Sequence, residues 1–167
     1  MVRVSLVGVV AGPGKADKTQ WDGFGHVDPS TFAEIGKAFG LASPHAAAAA
    51  ALAVLANGAW EKPEVGGTAT LVTAAGSGTA HALAVQQDTY TPQWSTVAWS
   101  HVPLDGSVRI RLVLQDRDLA NHDPMGIAEI GPTDLWAALN DGHVYPVRVH
   151  EQTSKQILFA RISVMRE

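Results

Sequence analysis

Apolar residues recur at every second position over much of the chain, and this period predicts β-strands. The first strand is expected from Met1 to Ala11, with Gly8 marking a bulge at which the buried side changes. Seven further strands are predicted at residues 68–74, 79–86, 95–100, 107–115, 126–130, 144–150 and 156–164. Short strands separated by Gly, Pro, Asp and Asn turns are typical of an antiparallel sandwich. We therefore expect an all-β, eight-stranded fold.

Two helices interrupt this pattern between the first and second strands. Pro29, Ser30 and Thr31 provide start signals for a helix over residues 31–39, which Gly40 ends. Ser43 is the expected N-cap of a second helix, with Pro44 in its first turn and an alanine tract that runs to Ala56. The sequence thus predicts one domain over residues 1–167, with a helical hairpin inserted at about residues 30–62. A short capped helix is also expected over residues 132–139.

Composition limits the classes of function. A net charge of -4 with 17% charged and 46% hydrophobic residues indicates a globular chain, and no basic excess points to nucleic acid. The absence of Cys excludes disulfides and thiolate metal sites. The segments 76–78 and 12–15 lack the spacing of a nucleophile elbow and of a phosphate loop, so we expect no enzyme. The strand-like N-terminus lacks a convincing cleavage site, which favours a cytoplasmic location.

Asp116, Asp118 and Asp123 lie close together where an alternating apolar run ends. Three carboxylates on one short segment repel each other unless a cation lies among them, and an oxygen-only set of ligands suits Ca²⁺. Aspartates are also common in ordinary turns because they accept hydrogen bonds from the backbone. Between these interpretations we favour a calcium site.

The same region resembles the C2 domain, the calcium-dependent lipid-binding family. Pro92-x-Trp94 opens one strand, the following strand ends in Asp116-x-Asp118, and Asp123-Pro-Met-Gly matches the family's Asp-x-Ile-Gly. Together with a closing strand over residues 156–164, these motifs cover residues 67–165 in consistent order. The resemblance implies a C2-like sandwich that binds Ca²⁺ and docks as a peripheral protein on anionic phospholipid membranes. The counterpart of the family's lysine-rich strand, residues 81–87, contains no Lys, which argues against phosphoinositide recognition there.

The resemblance also implies a ligand set. Asp116, Asp118 and Asp123 match the third calcium loop, which is one residue shorter here than the commonest pattern. The first loop has two alternatives. Either Asp22 and Asp28 form its usual pair, which we favour, or the hairpin is inserted inside this loop and Glu64 is the second ligand. Asp17 is a lesser candidate.

The inserted hairpin and two tryptophans offer a different kind of function. Trp21 and Trp60 flank the expected calcium end and are candidate contacts with a membrane or a partner. The alternative to a lipid-binding module is a protein-interaction or assembly module in which Ca²⁺ is structural or absent. In that case the hairpin is the surface for a protein partner or for self-association.

Overall fold

The computed structural model describes residues 1–22, 25–58, 60–119, 122–149 and 156–167. In these ranges eight strands form two four-stranded antiparallel sheets, ordered β4-β1-β8-β7 and β3-β2-β5-β6. The predicted eight-stranded antiparallel sandwich with an inserted helical hairpin is confirmed. The elements are β1 (Val2–Ala11), α1 (Pro29–Phe39), α2 (Pro44–Ala56), β2 (Val65–Thr73), β3 (Gly76–Gln86), β4 (Ala98–Val102), β5 (Arg109–Arg117), β6 (His122–Ile130), α3 (Pro132–Asp141), β7 (Tyr145–Arg148) and β8 (Ile157–Arg166).

The first strand contains the bulge that its sequence predicts. The pairing of β1 with β8 shifts register between Leu6 and Gly8, and beyond the shift Val9 and Val10 are both buried. A Cβ atom at Gly8 would lie 2.3 Å from the carbonyl oxygen of Pro92, so only glycine fits there. The bulge thus lets β1 bury both faces as it approaches the end of the sandwich.

The two helices of the hairpin begin at capping residues. Ser43 Oγ accepts a hydrogen bond from the backbone N–H of Ala46 at 3.3 Å, and α2 has the predicted bounds. The first helix begins two residues earlier than predicted, because Asp28 is its N-cap and accepts from the N–H of Ser30 at 2.9 Å. Pro29 then occupies the first turn, where its missing N–H costs nothing.

The hairpin packs on the sandwich through small residues. One face of α2 is buried against α1 and β7 by Ala47, Ala48, Ala51 and Leu55. The ring of Phe39, at the end of α1, lies 4.9 Å from that of Phe159 on β8, centroid to centroid. None of the helices in the described ranges combines the length and the apolar character that crossing a bilayer requires.

Strand register brings three chain segments together at one end of the sandwich. Val65, the first residue of β2, pairs with Asp116 near the end of β5, and Asp116 pairs in turn with Asp123 on β6. Because β6 begins four residues earlier than predicted, at His122, Asp123 lies on a strand and not in a loop. The predicted strand over residues 144–150 ends at Arg148, and His150 lies outside the described residues.

Candidate metal centre

Three aspartates from two distant segments form a compact carboxylate cluster at this end. Asp22 follows β1, whereas Asp116 and Asp118 lie at the end of β5. One carboxylate oxygen from each residue lies within 4.8 Å of the other two, and these are the residues that could hold a metal ion within the described ranges. Two carboxylates from the end of β5 and one from the segment after β1 are therefore brought together.

Asp116 is the most constrained member of the cluster. Its side chain is 0% exposed, and its Oδ1 accepts a hydrogen bond from the backbone N–H of Glu64 at 2.7 Å. Its Oδ2 is buried and has no hydrogen-bond partner within the described residues. Burial, reinforced by the charges of Asp118 and Asp22, raises the pKa of Asp116 to about 7. Ionisation of this side chain therefore places negative charge on a buried oxygen that has no hydrogen-bond partner in the described residues, which is costly.

Asp22 is positioned by the residue before it. Trp21 is fully buried, and its indole N–H donates to the carbonyl oxygen of Gly12 at 2.9 Å, which fastens the loop to the end of β1. Burial raises the pKa of Asp22 to about 6, and the charge of Asp118 and a hydrogen bond with it contribute to the rise. The loop thus holds Asp22 against Asp118 although their charges repel.

The donor set fits a hard divalent cation. All three groups are carboxylates, and Ca²⁺ accepts six to eight oxygen ligands at about 2.3–2.6 Å in irregular geometry. The orphaned Oδ2 of Asp116 is a buried acceptor that such an ion would satisfy. Asp22, Asp116 and Asp118 are therefore the residues that would hold Ca²⁺.

Asp28 and Asp17 do not belong to this cluster. The carboxylate of Asp28 caps α1, and the hydrogen bond from the Ser30 N–H lowers its pKa. Asp17 Oδ1 accepts from the hydroxyl and the N–H of Thr19 at 2.6 and 3.0 Å, and these bonds lower its pKa. Both residues are exposed and stabilise local turns.

Glu64 lies next to the cluster. This position is consistent with the alternative in which the hairpin is inserted in the first calcium loop and Glu64 is the second ligand. Its N–H binds Asp116, its carbonyl oxygen accepts from the N–H of Arg117 at 2.8 Å, and its charge contributes to the raised pKa of Asp22. The hairpin therefore lies between Asp22 and Glu64 in the chain. The carboxylate of Glu64 is not among the three described acids whose oxygens lie within 4.8 Å of one another, so its role as a ligand stays a prediction.

Asp123 is engaged by a lysine. Lys15 Nζ lies 2.6 Å from Asp123 Oδ2. The hydrogen bond with Asp123, together with the charges of Asp123, Asp116 and Asp118, raises the pKa of Lys15 against the opposing effect of burial. The sequence analysis considered residues 12–15 only as a possible phosphate loop and did not single out this lysine. The signal was available, because Lys15 follows the turn that ends β1 at the acidic end of the sandwich.

The two candidate tryptophans behave differently. The prediction of a membrane or partner contact through Trp21 is corrected, because the indole has no exposed surface and its N–H is bound within the chain. Trp60 is half-buried, and its ring lies so close to Gly58 that a Cβ added there would be 1.8 Å from it. A contact through Trp60 stays a prediction.

The structure adds one exposed apolar residue that the sequence analysis did not single out. Leu119 directly follows Asp118 and is fully exposed. Single exposed apolar residues are common on protein surfaces, so the relevant feature of Leu119 is its position beside Asp118. The signal in the sequence was a leucine between two closely spaced aspartates, Asp118 and Asp123.

Structural comparison finds C2 domains. The chain is similar over 98% of its length to one C2 domain, domain A, of plant extended synaptotagmin 1. The TM-score is 0.49, the sequence identity is 10%, and the match covers 91% of that chain. It is also similar to a structure of extended synaptotagmin 2 that contains an SMP domain and the C2 domains A and B, with a TM-score of 0.43 and 13% identity. That match covers 98% of this chain and 26% of the other. Both structures contain C2 domains, the family that the sequence resembles.

Comparisons of sequence are negative. No protein-family model matches the chain, and no curated protein matches it.

Proposed function

We propose that this protein is a C2-like module that binds Ca²⁺ through Asp22, Asp116 and Asp118 and then docks on anionic phospholipid. One observation carries the proposal: a fully buried carboxylate, Asp116, has an oxygen without a hydrogen-bond partner in the described residues and belongs to a cluster of three acids. A buried charge of this kind is costly unless it is paired or coordinates a metal. The cluster therefore supports a cation site in preference to a simple turn.

Docking follows from electrostatics. Without a cation, the end of the sandwich presents Asp22, Asp118 and Glu64 to solvent and repels an anionic surface. A bound Ca²⁺ supplies positive charge and open coordination positions that lipid phosphate oxygens can fill. Leu119 projects beside Asp118 and can enter the region below the lipid headgroups. Charge and apolar contact thus act at the same place.

The first experiment is a calcium titration of metal-free protein by isothermal calorimetry. We expect saturable binding at about micromolar to millimolar concentrations. Asp116→Asn and Asp118→Asn should each abolish it, whereas Asp105→Asn should not. Asp105 is a matched control because its exposed carboxylate accepts from Ser107 in a turn that precedes β5, at the opposite end of that strand from the cluster.

The second experiment separates ion binding from docking. Sedimentation with vesicles of phosphatidylserine and phosphatidylcholine should require both Ca²⁺ and the anionic lipid. An absence of both heat and thermal stabilisation by Ca²⁺ would contradict the metal site. Calcium binding without sedimentation would contradict the lipid part alone. The alternative of a protein-interaction or assembly module acting through the hairpin stays a prediction.

A further inference from the structure

Lys15 is held at the carboxylate cluster by an ordered loop. Its backbone N–H donates to the carbonyl oxygen of Thr19 at 2.8 Å, and its own carbonyl oxygen accepts from the N–H of Lys18 at 2.9 Å. These bonds fix the point from which the side chain extends. From there the ammonium reaches Asp123 Oδ2 at 2.6 Å, with 28% of the lysine side chain exposed.

The carboxylate that Lys15 binds lies next to the proposed ligands. Asp123 is the cross-strand partner of Asp116 on β5, so the two aspartates occupy adjacent strands at the same level of the sheet. The charges of Asp116 and Asp118 also act on the ammonium. Lys15 is therefore a cation of the chain itself, placed where the cluster attracts an external one.

We propose that Lys15 is a built-in competitor of calcium, whose ammonium holds Asp123 out of the ligand set and lowers the affinity of the site for the ion. This inference rests on the proposed calcium site and concerns what sets its affinity. A divalent ion close to Asp123 repels the ammonium, so recruitment of this fourth carboxylate requires the lysine to leave. While the ion pair is intact, the chain offers Asp22, Asp116 and Asp118.

Removing the lysine charge should strengthen calcium binding. We expect Lys15→Met to lower the calcium dissociation constant about three- to tenfold, the size expected for a charge interaction that solvent partly screens. Lys18→Met is the matched control, because it changes the net charge equally in the same loop. The Lys18 ammonium lies 5.9 Å from the centre of the Phe32 ring, and its substitution should leave the dissociation constant unchanged.

Asp123 provides the second half of the test. In the wild-type protein Asp123→Asn should change calcium affinity less than about twofold, because the carboxylate is already engaged by Lys15. In the Lys15→Met background the same substitution should weaken binding about tenfold, since Asp123 is then free to ligate the ion. The difference between the two backgrounds is the coupling that the proposal requires.

A measurement on the unmutated protein removes any dependence on the folding of variants. The ammonium of Lys15 can be followed by NMR in protein with nitrogen-15-labelled lysine during a calcium titration. We expect its signal to shift in proportion to site occupancy, because an ion held by Asp22, Asp116 and Asp118 repels the nearby ammonium. An unchanged Lys15 signal through saturation would overturn the proposal, as would equal affinities of Lys15→Met and Lys18→Met.

These outcomes are distinct from failure of the site itself. If the wild type binds Ca²⁺ and Lys15→Met binds it no more tightly, the calcium site stands and the competition is refuted. If neither protein binds Ca²⁺, both proposals are refuted. Binding by Lys15→Met at calcium concentrations that leave the wild type empty would support both.

Discussion

The N–H of Glu64 and the Oδ1 of Asp116 are joined by a hydrogen bond of 2.7 Å between residues 52 positions apart in the chain. The bond orients the buried carboxylate and engages one of its oxygens. The other oxygen, Oδ2, has no such partner in the described part of the chain. The segment that follows the inserted hairpin therefore positions the central acid of the candidate calcium site.

The pKa of Asp116 predicts how pH affects the metal-free protein. Its pKa rises from 3.8 to about 7 on folding, so its contribution to stability is complete below about pH 3.8 and is lost as pH rises through 7. Asn at this position does not titrate. In the presence of a chelator, the melting temperature of the wild type relative to Asp116→Asn should fall by roughly 5 °C between pH 5 and pH 8.

Calcium should remove this pH dependence, because an ion at the site stabilises the ionised carboxylate. The control is the same pair of melting curves at saturating Ca²⁺, where the wild type should gain stability most strongly at high pH. Parallel pH profiles for the two metal-free proteins would show that folding does not raise the pKa of Asp116.

Leu119 should contribute to membrane docking without affecting ion binding. Leu119→Gln removes an exposed apolar side chain beside Asp118, and we expect partitioning onto phosphatidylserine vesicles at saturating Ca²⁺ to fall roughly tenfold. Calcium affinity by calorimetry should stay unchanged. Met165→Gln is the matched control, since Met165 is 52% exposed near the end of β8 that pairs with the start of β1. Equal loss in both variants would contradict a specific role for the loop.

Trp21 should affect calcium binding by holding the loop that carries Asp22 in place. Trp21→Phe deletes the indole N–H that donates to Gly12, and we expect calcium affinity to fall about tenfold as the Asp22 loop loosens. Stability should fall by about 1–3 kcal/mol, because the carbonyl oxygen of Gly12 loses a buried partner. Urea unfolding and calorimetry on the same samples measure both effects.

Trp99→Phe is the control for this variant. Trp99 is also buried, on β4, and its indole N–H donates to the carbonyl oxygen of Thr79 at 2.8 Å. A similar loss of stability with unchanged calcium affinity is expected. If both tryptophan variants lowered calcium affinity equally, the effect of Trp21 would be one of general stability.

Arg148 should fasten the hairpin to the sandwich. Its guanidinium donates to the carbonyl oxygens of Leu41 and Ala42, which connect α1 to α2. Arg148→Met should cost about 1–3 kcal/mol of unfolding free energy and speed amide hydrogen exchange in α2. Arg111→Met, at an exposed position on β5, should do neither. If amide exchange in α2 were unchanged in Arg148→Met, the hairpin would be held on the sandwich by side-chain packing alone.

The strands and the hairpin were predictable because local rules determine them. Alternation of apolar residues identified all eight strands, and the Ser43-Pro44 start of α2 located that helix to the residue. The ends of strands were less accurate. β6 extends back to His122 because it pairs with β5 as far as Arg117, and such pairing depends on a partner strand that periodicity does not reveal.

The candidate site was predictable to a similar extent. Asp116 and Asp118 are neighbours in the chain, so their closeness follows from the sequence. The sequence proposed both Asp22 and Asp28 as ligands. It could not show that only Asp22 joins the cluster, because spacing does not reveal which carboxylate caps a helix. The structure assigns Asp28 to the N-terminus of α1 and brings Asp22 to Asp118.

The sequence by itself determined an antiparallel sandwich, an inserted hairpin and an acidic loop, since periodicity, capping and charge density are properties of short segments. Only the tertiary structure decided which acids meet, that Asp116 is buried with an orphaned oxygen, and that Lys15 engages Asp123. The physical reason is that desolvation and charge proximity depend on distances between segments far apart in the chain. Those distances are set by strand register and by the packing of the sheets.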